Sequence, residues 1–358
     1  MHGRVAIVAL ALVSALAVPA VAGAATKTVQ AGPFGSAQKE FQDAFGDANQ
    51  FFRRTVTIRR GDSVRWQING FHNVAFVPGG EEEPALVIPD AANPVTGSVD
   101  AAGIPFWFNG QPNLVFNPEA ALKQGGGTFD PDELLNSGLP LAEGPPPPYK
   151  LRFNQTGRFT YLCIVHPGME GTVRVVGKNR RIPSARRDRR AARREQARAL
   201  GRVQRLTTGL GLSLTNTIQA GNDRSSGPVV FKFFPANPSY KVGDTVTLQM
   251  PPSSGEVHTF TFGPSDGQNL YNDVLATNLV GPQGFDPRGA YPSEPPPAGV
   301  PAYTGTNHGN GFYNSGLLDS AGASPVPSST QIRFAAPGSF TMICLIHPFM
   351  RSTVTVTP

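Results

Sequence analysis

Two short stretches share one pattern: Cys163-Ile164-Val165-His166-Pro167-Gly168-Met169 and Cys344-Leu345-Ile346-His347-Pro348-Phe349-Met350, each C-x2-H-x2-M. A further histidine stands upstream of each, His72 in Phe71-His72-Asn73-Val74 and His258 in Val257-His258-Thr259-Phe260. Taken singly, such a cysteine is an apolar buried thiol, such a methionine fills a core, and such a histidine is a hydrogen-bonded loop residue. Taken together, a soft thiolate, two imidazoles and a weak thioether make the donor set that suits copper in one-electron transfer. The expected ligands are His72, Cys163, His166 and Met169 for one ion, and His258, Cys344, His347 and Met350 for a second. A disulfide joining the two cysteines is the competing use, and it requires their Cα atoms to come within about 7 Å.

Such ligands need a frame, and the sequence around them supplies one twice. The cysteine segments are offset by 181 residues (344 − 163). Gly61-Asp62-Ser63-Val64 matches Gly243-Asp244-Thr245-Val246, and Asn136-Ser137-Gly138-Leu139 matches Asn314-Ser315-Gly316-Leu317. The chain is a tandem duplication. Within each copy the apolar residues alternate with period two, as in half-buried strands: Val56 and Ile58, then Val64, Trp66 and Ile68 across a Gly61-Asp62 turn, then Phe159, Tyr161 and Cys163. Forty Gly and 35 Pro in 358 residues argue against long helices. The reading is all-β, with antiparallel strands forming a β-sandwich in each copy. The boundaries expected are a signal peptide over 1–24, a first domain over 25–177, a basic linker over 178–211 and a second domain over 212–358.

These residues resemble the cupredoxin, or blue (type 1) copper, family. The loop from Cys344 to Arg351 has the short amicyanin-like spacing with its His-Pro-Phe-Met run, and Phe71-His72-Asn73-Val74 is similar to the first-ligand segment of plastocyanin-like members. The resemblance implies two Greek-key sandwiches, two type 1 copper ions, and a second loop histidine, His166 or His347, whose edge meets partners through a patch of Pro167, Gly168, Pro348 and Phe349. The copies depart from the family in several ways, among them Val165 and Ile346, which stand where amicyanin and plastocyanin have Pro. Stretches of about 79–150 and 263–330 are long insertions of unassigned role, a cover over the copper end being one option. Thr259 replaces the Asn seen at Asn73. Ile164 and Leu345 follow the cysteines where relatives often carry Ser or Thr.

Between the copies, residues 178–205 hold Lys178 and eleven Arg against Asp188 and Glu195, a local charge of 12 − 2 = +10. The chain totals +6, or +5 without Arg4 of the leader, so the remainder carries 5 − 10 = −5. Its Ala and Arg content favours helix over Ser184 to Arg205. This segment reads either as a solvated spacer or as a dock for an anionic cell surface or acidic partner. Nucleic acid does not fit an exported chain whose other parts are net acidic. The apolar run Val5 to Val18 followed by Ala22-Gly23-Ala24 reads as a signal peptide without an integral anchor, placing the protein at the cell surface, in the periplasm or outside the cell. The function expected is an electron carrier with protein donor and acceptor, not an enzyme. Copper capture or delivery is the alternative, and oxidase or nitrite reductase chemistry fits less well, because only His308 is left over for a further copper centre.

Overall fold

The structure, a computed structural model, describes residues 24–223, 227–263, 284–296, 299–320 and 324–358. The signal-peptide reading lies outside them, apart from Ala24. Strands dominate and fall into two sandwiches of one design. In the first half, one sheet has the spatial order Phe51–Phe52, Thr26–Ala31, Ser63–Ile68, Tyr149–Arg152, Gly127–Thr128. Facing it are Leu135–Asn136, Ala75–Phe76, Gly157–Leu162, Glu170–Val176 and Thr55–Arg59. The second half pairs Phe233–Phe234, Thr217–Ala220, Thr245–Gln249, Ser329–Phe334 and Ala302–Tyr303 with Tyr313–Asn314, Thr261–Phe262, Gly338–Ile343, Arg351–Thr357 and Ser239–Lys241. Strand for strand the two orders coincide, so the duplication extends from motif to topology.

The period-two faces meet between the sheets. Val64 and Trp66 from one sheet pack on Val56, Ile58, Tyr161, Val173 and Val175 from the other, and Val246, Leu248 and Ile332 on Met342, Val354 and Val356. Burying each such aliphatic side chain contributes about 1.5–3 kcal/mol. The sheets are mixed where antiparallel pairing was expected. Thr26–Ala31 runs parallel to Ser63–Ile68, Glu170–Val176 runs parallel to Thr55–Arg59, and the second half repeats both pairings. The reason lies in the Gly61-Asp62 turn. Its flanking strands do not form a hairpin but pass from one sheet to the other, and the Asp62 carboxylate holds that crossing by accepting from the N–H of Ala25 and Arg59 at 2.8 and 2.9 Å.

The basic segment is a helix, Ala185–Leu206, capped by the Ser184 hydroxyl, which accepts from the Arg187 N–H. It is no solvated spacer. Ala192, Ala199, Leu200 and Val203 recur on one face and pack against Phe41, Ala48 and Phe52 of the first half and Val230 and Phe234 of the second. Buried Asp188 pairs with Lys27, and Arg53 reaches Glu195 at 2.9 Å. Beneath the helix, strand Gly46–Ala48 of the first half pairs antiparallel with Pro228–Val230 of the second. The long insertions interlock as well. Val95, Phe106 and Phe108 pack on Phe312, Ile343 and Leu345, Trp107 Nε1 donates to the Pro292 carbonyl at 2.9 Å, and the Tyr291 hydroxyl donates to the Pro112 carbonyl at 2.6 Å. No helix among the described residues is long and apolar enough to cross a membrane.

Candidate metal centre

In each half the strand Gly157–Leu162 or Gly338–Ile343 ends one residue before the cysteine, and a seven-residue loop leads into the last strand. That loop is closed on itself. The Cys163 N–H donates to the Met169 carbonyl at 2.9 Å and the Met169 N–H to the His166 carbonyl at 3.0 Å; Cys344, Met350 and His347 repeat this at 3.1 and 2.7 Å. The upstream histidine arrives from the segment that leads into the neighbouring strand, Ala75–Phe76 or Thr261–Phe262. Asn73 holds it there, because its side-chain oxygen accepts the Ile164 N–H at 2.8 Å while its amide donates to Asn136 at 3.0 Å. In the second half Thr259 does the same work: its hydroxyl accepts the Leu345 N–H at 2.8 Å, and a Thr261 hydroxyl links it to Asn314. The repeated Asn-Ser-Gly-Leu thus braces the histidine-bearing segment, with Ser137 and Ser315 accepting from the N–H groups of Val74 and Phe260.

The predicted residues converge. Cys163 Sγ lies 3.9 Å from His72 Nδ1 and 3.4 Å from His166 Nδ1, and the two nitrogens are 3.0 Å apart. Cys344 Sγ lies 3.6 Å from His258 Nδ1 and 3.8 Å from His347 Nδ1, with the nitrogens 3.2 Å apart. An ion bound at about 2.0 Å to nitrogen and about 2.3 Å to sulfur spans donor edges of this size. Met169 and Met350 are buried in the same loops, each 1% exposed. Two imidazole nitrogens facing one thiol with no polar group between them fit a soft cation. The buried Nε2 atoms of His72 and His258 have no partner, so in each upstream histidine it is Nδ1 that is directed toward the thiol. Gly32, in the left-handed region at φ +79°, lets the chain pass over His72; a Cβ there would strike the imidazole and the Asn69 carbonyl.

Burial and hydrogen bonding act differently on the two thiols. Burial pushes the Cys163 thiol up to about 11, and burial likewise keeps His72 well below the ordinary imidazole value and lowers His166. Burial opposes ionisation of Cys344 too, yet its hydrogen bonds to His258 and His347 carry it well below the thiol range; burial lowers His347, but Cys344 and Glu256 more than offset this and push it up to about 10. A metal binds cysteine as the thiolate, so uptake at Cys163, whose thiol is pushed up, displaces a thiol proton. Cys163 and Cys344 are both free.

The expected partner patch is corrected by the structure. His166 and His347 do not present their edges outward; they turn toward the opposite half, 6% exposed for His166 and 14% for the His347 side chain. Between them sits Glu256, buried, its Oε1 3.5 Å from His166 Nε2 and its Oε2 3.5 Å from His347 Nε2. Asn49 Nδ2 donates to Glu256 Oε1 at 2.8 Å. Burial raises the Glu256 pKa, but His166, His347 and Asn49 more than offset it and keep the carboxylate below its usual range. Of the patch residues, Pro167, Gly168 and Phe349 are exposed, and the Phe349 ring is edge-on to Phe231, which stacks on His347 at 4.5 Å.

Glu256 was not among the expected site residues. One sign of it stands in the sequence: Gly70 occupies the aligned position two residues before His72, so the acid belongs to one copy alone. His308 lies away from both clusters, 3.0 Å from Asp100 and 3.2 Å from Glu294. Among the described residues, the groups of three or more His, Cys, Asp or Glu side chains close enough to share an ion are the two His-Cys-His clusters.

No family model matches the sequence, and no curated protein matches it. Among solved structures the chain is similar to auracyanin B at 18% identity, covering 40% of this chain and 87% of that one with a TM-score of 0.24. It is similar to dithionite-reduced auracyanin from the photosynthetic bacterium Roseiflexus castenholzii at 13% identity, covering 41% and 100% with a TM-score of 0.24. An oxidised amicyanin variant gives 19% identity, 35% and 73% coverage and a TM-score of 0.19. Likeness this distant bears on neither partner nor activity.

Proposed function

We propose that this protein is an exported electron carrier holding two type 1 copper ions, one on His72, Cys163, His166 and Met169, the other on His258, Cys344, His347 and Met350. The two sites belong to cupredoxin-like domains over 25–177 and 212–358, joined by the basic segment 178–211. The single observation that carries this reading is the pair of buried clusters in which one thiol sulfur faces two imidazole Nδ1 atoms at 3.4–3.9 Å. Copper, when bound there, supplies one-electron Cu(II)/Cu(I) chemistry.

The side chains do the rest. Asn73 and Thr259 tie the segment bearing each upstream histidine to the residue after each cysteine, so the donors hold one arrangement through both oxidation states. Apolar cover from Ala120 over Ile164, and from Phe108 and Phe312 over Leu345, keeps water from the sulfur. Ligands enclosed this fully favour retention of the ion over hand-over to an acceptor. The outward arginines of the helix Ala185–Leu206, such as Arg190, Arg194 and Arg198, offer an acidic protein partner or anionic surface a place to dock.

Aerobic purification with copper, a metal count and a visible spectrum test this. Two copper ions per chain and intense thiolate charge-transfer absorption are expected. Cys163→Ser should abolish the contribution of one site and leave that of the other; retention of both chromophores refutes the assignment.

A further inference from the structure

We propose that Glu256 is a carboxylate bridge joining the two sites into one redox unit, so that an electron received at either passes within the chain through His166, Glu256 and His347. This rests on the copper reading above and extends it.

The geometry is built from both halves at once. The ladder between Gly46–Ala48 and Pro228–Val230 brings the sandwiches together. Just beyond it the Asn49 N–H donates to the Gly227 carbonyl at 2.7 Å, and the Asn49 amide holds Glu256. The loop before Glu256 is pinned in turn: the Ser254 hydroxyl donates to Asp223 at 2.6 Å and accepts the Glu256 N–H at 3.1 Å, and Asp223 accepts the Val230 N–H at 2.8 Å. Gly255 sits so close to His166 and Pro167 that a Cβ there would touch His166 Cβ and the Pro167 carbonyl. One buried carboxylate therefore offers one oxygen to each imidazole, at 3.5 Å on both sides.

The chemistry of the imidazoles matches this placement. A histidine that coordinates through Nδ1 carries its proton on Nε2, and metal-bound histidines commonly give that N–H to a carboxylate. Here both Nε2 atoms face the same acid, so a single residue fixes the tautomer and ring orientation of both. Transfer between the sites oxidises one ion and reduces the other. No bond forms or breaks, and both Nε2 protons stay on nitrogen. Glutamine in place of Glu256 keeps the shape but turns one of the two acceptors into an N–H donor, which cannot face an Nε2–H.

The test uses the copper-loaded full chain carrying Met169→Gln, a change at the weak axial position that separates the two sites in potential and in colour. A sub-stoichiometric pulse of photoreductant is applied, and the relaxation between the two bands is followed. The expected result is a first-order phase independent of protein concentration, slowed about tenfold or more when Glu256→Gln is added. An unchanged rate, or a phase that scales with protein concentration, overturns the bridge. Where Glu256→Gln fails to fold or load, the wild-type chain loaded with Zn(II) decides the matter by proton–nitrogen spectroscopy: His166 and His347 must both show slowly exchanging Nε2 protons, and rapid exchange at either overturns it. A chain without any copper–thiolate absorption defeats the electron-carrier reading itself, whereas two coloured sites lacking a Glu256-dependent phase leave that reading standing and remove only the bridge.

Discussion

Thr259 and Asn73 occupy equivalent positions with different side chains, yet each offers one oxygen to the N–H of the residue after the cysteine, at 2.8 Å in both. They differ in what stands behind that oxygen. Asn73 reaches Asn136 directly, whereas Thr259 works through the Thr261 hydroxyl to Asn314, and the Thr259 N–H also donates to Cys344 Sγ at 3.4 Å. Thr259→Val should retain copper but leave the buried Leu345 N–H without an acceptor, costing about 1–3 kcal/mol. A urea midpoint lowered at constant slope checks this, and an unshifted midpoint would show that another acceptor takes over. The two His-Cys-His clusters were legible because thiol, imidazole and thioether at fixed spacing point to one kind of chemistry. Glu256 was not, since a lone acid acquires meaning only when His166 of one copy and His347 of the other are known to face it.

At the scale of elements, the helix Ala185–Leu206 was legible in its Ala and Arg content, but its packing was not. Arg-rich composition says what faces water, while the narrow stripe Ala192, Ala199, Leu200, Val203 says what does not, and its targets lie in distant strands. Val203 is the closest point, seated against Gly46, where a Cβ would collide with its side chain and with the Val229 carbonyl. Because Gly46 belongs to the strand paired with Pro228–Val230, the helix rests on the ladder that joins the halves. Val203→Ala removes two buried methyl groups, and the expected cost is about 2 kcal/mol, transfer and residual cavity together. The midpoint of denaturant unfolding reports it. A loss below a few tenths of a kcal/mol would mean that the helix settles into the space, and that the seam depends on the strand ladder alone. The mixed pairing of the sheets was hidden for a related reason, since alternation fixes which face of a strand is buried but not which neighbour it finds.

For the whole molecule, what needs explaining is how two sandwiches hold one buried carboxylate between their histidines without drifting apart. The ladder and helix fasten one side; the interlocked insertions fasten another, and His308 stands there between Asp100 of the first half and Glu294 of the second, with the Phe106 ring 4.8 Å from its own. Hydrogen bonding to Glu294 raises the His308 pKa; burial opposes this, but Asp100 adds to the rise, and both carboxylates are correspondingly lowered. The sign follows. A histidine whose folded value is raised gives stability that is fully present below its unfolded value, about 6.5, and is lost as pH rises through the folded value. The lowered acids give stability that is present above their unfolded values near about 4 and is lost as pH falls toward their folded ones. This clasp is therefore strongest between those limits, in mildly acidic solution. Thermal midpoints of the wild type and of His308→Gln, measured across pH, should lie furthest apart near about pH 5–6 and draw together as the solution becomes alkaline. A separation that stays constant across the range would assign His308 a packing role against Phe106 and Phe312, leaving the ladder and the helix to keep Glu256 in place.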